Sequence, residues 1–83
     1  MSDMPLAEKK AWCASFFNTI EYLCFLINRR MVRQKEPRDF FVFGLREWWK
    51  QFDSYKAQGW IIDTPDGFLE FKRLCKNERF ITV

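Results

Sequence analysis

The stretch PLAEKKAWCASFFNTIEYLCFLINRRM, residues 5–31, decides the fold. Stepping about 100° per residue, Leu6, Cys13, Phe16, Phe17, Ile20, Leu23, Cys24, Ile27 and Met31 fall on one broad stripe, the mark of an amphipathic helix. Ser15, Asn18 and Thr19 lie outside that stripe, and Lys10 lies just past its edge. Pro5 suits a first helical turn, where its missing N–H is no loss, and Ser2 or Asp3 suits the cap. The expectation is a long helix from about Pro5 to Met31.

One turn departs from the pattern. Tyr22, Phe25 and Leu26 point away from the stripe, so Tyr22–Ile27 is apolar around its whole circumference. A helix apolar all round is packed on more than one side. Either this turn lies inside the domain or its second face meets a partner, a second copy of the chain included. Aromatic enrichment at interfaces makes these three residues candidate binding residues.

A membrane span is the rival reading for Ala11–Ile27. About 17 residues is the lower limit for crossing a bilayer, and Asn18 and Glu21 interrupt the run. Lys9 and Lys10 before it and Arg29 and Arg30 after it give no positive-inside asymmetry. No span is expected, and no secretory signal opens the chain.

Beyond this helix the breaker Glu36-Pro37 marks a stop, because a proline disfavours helical geometry in the residue before it. A second helix is expected from about Arg38 or Asp39 to Ala57. Its seam is Phe41, Leu45, Trp48, Phe52 and Tyr55, and Gly59 suits a left-handed C-terminal cap. Val42 and Trp49 widen the apolar arc, which makes this the expected central helix, touching both others. Phe40–Phe43 has an extended alternative, since Phe and Val favour strands. Trp60-Ile61-Ile62 forms an apolar connector. Asp63-Thr64-Pro65-Asp66 looks like the start of a third helix that runs to about Lys76, with Phe68, Phe71, Leu74 and Cys75 inward. The tail Phe80–Val83 is apolar enough to pack back. The chain holds no repeat and no linker long enough to divide it, so residues 1–83 read as one all-α domain, a small three-helix bundle.

Composition narrows the chemistry. Aromatic residues make up 19% of the 83 residues, with four Trp and ten Phe, and histidine is absent. Ser–His and Cys–His nucleophile pairs are therefore excluded. Three glycines form no phosphate-cradling loop, and acids such as Glu47 and Asp53 stand beside Lys50 and Lys56 as ordinary surface pairs. Cys13, Cys24 and Cys75 have no metal-site spacing and read as reduced thiols filling the core of a cytoplasmic protein. No enzyme, metal or cofactor is expected.

The net charge of +3 is concentrated. Arg29, Arg30, Arg33, Lys35 and Arg38 lie between Asn28 and Asp39 against the single acid Glu36. Arginine forks suit carboxylate or phosphate, so this segment is a candidate site for an acidic protein surface or for nucleic acid. Its plain alternative is a solvated loop beside the negative end of helix one. Trp48 and Trp49 point about 100° apart, so Trp49 faces a different neighbour, helix three or a partner. The function expected is a non-catalytic protein-binding module, an inhibitor or adaptor. Its size and build are those of small accessory proteins of phages and mobile elements, an analogy of class only. The alternative is a nucleic-acid-binding module using residues 29–38.

Overall fold

A computed structural model describes residues 3–78, and among them the chain forms three helices and no strand. These are α1 (Leu6–Asn28), α2 (Lys35–Ala57) and α3 (Leu69–Asn77). The architecture is the small all-α bundle that the periodicity indicates.

Helix α1 begins one residue after Pro5, whose carbonyl accepts the Lys9 N–H at 3.0 Å. No side chain caps this end, so Asp3 does not serve as expected; Ser2 lies outside the described residues. The helix also stops short of Met31. The Arg30 N–H reaches Ile27 O at 3.0 Å and the Met31 N–H reaches Leu26 O at 2.9 Å, with Arg30 in the left-handed region at φ 57°. That double hydrogen bond is a Schellman C-cap, which turns the chain before the stripe reaches Met31 and leaves Met31 exposed. At the other end of the stripe Leu6 is exposed too.

Helix α2 ends in the same motif. Gly59 N–H bonds Lys56 O at 3.0 Å, Trp60 N–H bonds Tyr55 O at 2.9 Å, and Gly59 takes φ 80°. One end thus has the glycine the motif favours and the other has an arginine. A non-glycine residue in this region costs about 1 kcal/mol. Arg30→Gly should therefore raise the melting temperature by about 4–8 °C. A fall in melting temperature would show that the Arg30 side chain is worth more than the backbone strain it carries.

The start of α2 differs from expectation. It opens at Lys35, three residues before Arg38, with Pro37 inside the first turn. The first four N–H groups of a helix have no intrahelical partner, so the proline's missing donor costs nothing there. Phe40–Phe43 is accordingly helical and not extended. The expected start of α3 at Asp63–Asp66 is also corrected. Residues 64–67 form a turn closed by Gly67 N–H to Thr64 O at 3.0 Å, and the helix starts only after Phe68, which is left-handed at φ 54°. The tail Phe80–Val83 lies outside the described residues.

The buried core draws on all three helices and the connector: Cys13, Phe17, Ile20, Cys24 and Ile27 from α1, Leu45 and Phe52 from α2, Ile61, and Phe71, Leu74 and Cys75 from α3. Ring packing organises it. Phe52 meets Phe17 at 5.3 Å, Phe68 at 5.1 Å and Phe71 at 5.5 Å, all edge to face, and Trp49 stacks on it at 5.5 Å. Edge-on contacts match the positive rim of one ring to the negative face of the next. Helix α2 touches both others, but the most extensive packing is between α1 and α3. Cys24 of α1 and Cys75 of α3 are small and fully buried, which suits close packing of those helices, whereas the rings of Phe16 and Trp48 meet edge-on across α1 and α2 at 6.4 Å.

Candidate functional site

Polar contacts hold the scaffold of the site in place. Glu21, inside the apolar part of α1, reaches across to the start of α3. Its Oε2 accepts the Glu70 N–H at 2.9 Å and its Oε1 accepts the Phe71 N–H at 2.7 Å. A carboxylate thus caps two unpaired donors at the positive end of a helix, from another helix. Asn28 completes the clamp by donating to Glu70 Oε2 at 2.7 Å and Glu70 O at 3.1 Å. Asp63, expected as a cap, pairs instead with Lys72 at 2.8 Å and Lys56 at 3.4 Å, which ties the connector to α2 and α3.

These contacts divide the basic segment. Arg29 is drawn to Glu70 at 3.8 Å, and Arg38 to Glu78 at 3.4 Å and Asp39 at 3.6 Å. Arg30, Arg33 and Lys35 are exposed and, among the described residues, have no ion-pair partner. The five bases are therefore not one uncompensated patch. Arg30 sits at the cap of α1, Arg33 in the loop and Lys35 on the first turn of α2.

The three apolar candidates of α1 share an outer surface. Tyr22 is exposed and stacks on Phe25 at 6.5 Å, and the Arg29 guanidinium lies over the Phe25 ring at 5.2 Å. Phe25 and Leu26 are half-buried and do not pack on the buried cluster. Trp49 is also half-buried, stacked on Phe52 and set edge-on to Phe71 at 5.4 Å, so it faces α3. It lines the trough described below.

Among the described residues the most exposed apolar side chains lie outside the expected binding residues. Phe40 and Phe43, three residues apart on α2, are 82% and 84% exposed. Helix phase could have found them. They lie about 100–180° from the seam residues Phe41, Leu45 and Phe52, so they cannot share the core face. A separate ladder of half-buried and exposed rings links α1, α2 and the connector. Trp60 stacks on Tyr55 at 5.1 Å, Tyr55 meets Trp12 at 6.3 Å, Trp12 stacks on Phe16 at 5.0 Å, and Phe16 meets Trp48 at 6.4 Å. Gly44 makes room for the last rung: a Cβ there would sit 3.2 Å from the Trp48 indole.

The thiols offer no nucleophile. Burial pushes Cys75 from its ordinary 9.0 up to about 12. Burial raises Cys13, and raises Cys24 further with help from Cys75, Glu21 and Glu70. A thiol held neutral in the fold contributes fully below its unfolded pKa. Above that value the unfolded chain ionises and the folded chain does not, so stability should fall as pH rises from 9.0 toward about 12. Native protein at pH 8 should resist a thiol reagent and expose three reactive groups once unfolded in urea. Rapid labelling of the native protein would place a thiol at the surface.

Among the described residues, no cluster of His, Cys, Asp or Glu is arranged to hold a metal ion, and no helix is long and apolar enough to cross a membrane. Comparison with protein-family models, curated proteins and solved structures finds no match to this chain. The functional reading therefore rests on the residues themselves.

Proposed function

We propose that the chain is a non-catalytic protein-binding module, an inhibitor or adaptor, whose main docking surface is the outer face of α2 centred on Phe40 and Phe43. One observation carries this reading: two large aromatic side chains one turn apart are more than four-fifths exposed in a domain that packs most of its other rings together. Exposed aromatic patches of this kind mark interaction sites, and aromatic anchors dominate interface energetics. The lack of histidine and the three protonated, buried thiols support a role without catalysis. Three unpaired thiols also suit a reducing cytoplasm, which we take as the setting.

The test separates docking from folding. Phe40→Ser with Phe43→Ser should leave the melting temperature within about 3 °C, because neither ring contributes to the core. It should also weaken binding to the native partner by at least about tenfold. An unfolded double variant would make these residues structural, and unchanged binding would move the interface elsewhere.

The alternative, nucleic-acid binding through residues 29–38, is supported by Arg30, Arg33 and Lys35, which are exposed and have no ion-pair partner among the described residues. Phosphate-driven binding falls steeply with salt, so complex formation that survives 0.5 M salt would favour the aromatic surface.

A further inference from the structure

Between α2 and α3, on the side of α2 away from Phe40, lies an open trough of about 770 Å³. Trp49 and Leu69 form its apolar part. The Trp49 ring is fixed by its stack on Phe52 and its edge contact with Phe71, so it is held in place before any ligand arrives. Leu69 is 47% exposed. Lys56, Lys72, Arg73 and Lys76 line the rim beside Asp63.

We propose that this trough binds an acidic peptide segment, with one apolar side chain seated on Trp49 and Leu69 and flanking carboxylates at the rim. The chain's own acids already display the pairing. Asp63 holds Lys56 and Lys72, and Glu70 holds Arg73 at 3.1 Å. Among the described residues Lys76 has no ion-pair partner. Four cations against Asp63 and Glu70 leave a modest positive balance, which matches a few carboxylates. A nucleic-acid backbone would call for a stronger basic field than a chain of net charge +3 supplies, and for two fewer carboxylates at the contact. The site is about 120° round α2 from Phe43 and stands independently of the surface proposed above.

The direct test is nitrogen-15 NMR of the whole chain titrated with the peptide acetyl-Glu-Asp-Glu-Phe-Leu-Asp-Glu-Asp-Glu-amide. The Trp49 indole N–H is assigned with a Trp49→Phe variant. The expected result is a saturating shift of that indole and of the amides around Lys72 and Lys76. Lys76→Glu should weaken binding about threefold to tenfold, and Leu69→Ser should weaken it without altering the fold. A still indole at millimolar peptide would overturn the proposal. So would an equal response to the matching lysine peptide, an unchanged affinity in Lys76→Glu, or tighter binding of a nonameric oligothymidylate at the same indole.

Discussion

Phe71→Ala should cost about 3–5 kcal/mol and leave the domain largely unfolded near 37 °C. Phe71 is fully buried, and its ring meets Phe17 at 6.0 Å, Trp49 at 5.4 Å and Phe52 at 5.5 Å. It is the point where all three helices share one set of contacts. Truncation removes the buried ring area and leaves a cavity whose walls are other rigid rings, which collapse poorly into the space. A domain of this size has a thin stability margin, so a loss of that size consumes most of it. Urea denaturation gives the value. A loss below about 0.5 kcal/mol, the size of an ordinary surface change, would mean that α3 does not pack where the ring geometry puts it.

Glu21→Ala should be the most damaging polar substitution, at about 2 kcal/mol, the upper end of losses for a helix cap. It strands the N–H groups of Glu70 and Phe71 at the start of a helix of only nine residues. Helices that short have little stability of their own and persist through docking. The loss should therefore be local as well as global: hydrogen exchange should accelerate in α3 before α1 or α2. Glu21→Gln, which keeps one acceptor oxygen but no charge, should fall between the two. Uniform exchange across all three helices would show that the clamp does not set the stability of α3.

Much of this fold is legible in the sequence because it rests on local periodicity. The stripe of α1 buries Cys13, Phe17, Ile20, Cys24 and Ile27 and leaves Phe16 and Leu23 half-buried, and the seam of α2 buries Leu45 and Phe52 and leaves Phe41, Trp48 and Tyr55 half-buried. What was not legible depends on contacts between distant residues. Asp63-Thr64-Pro65-Asp66 has the composition of a helix start, yet a tight turn wins there, and the cap for α3 comes from Glu21, forty-nine residues before Glu70. No local pattern announces such a cap. The lone acid in an apolar stretch of α1 was its one signal, and it also served as the mark against a membrane span. Similarly, Arg29 and Arg38 belong to a basic run in sequence, and only the fold brings Glu70 and Glu78 to them. Phe40 and Phe43 are legible from helix phase alone, since a helical run Phe40–Phe43 places Phe41 on the core face and Phe40 and Phe43 on the opposite one.

The central claim is that the outer face of α2 is a docking surface and not part of the fold. Quantitative affinity capture from the native host, comparing the wild-type chain with the Phe40→Ser, Phe43→Ser double variant at matched melting temperature, tests it most directly. The account predicts at least one protein retained by the wild type and depleted about tenfold or more with the variant, in high salt as in low. An identical set of captured proteins from both chains would contradict it.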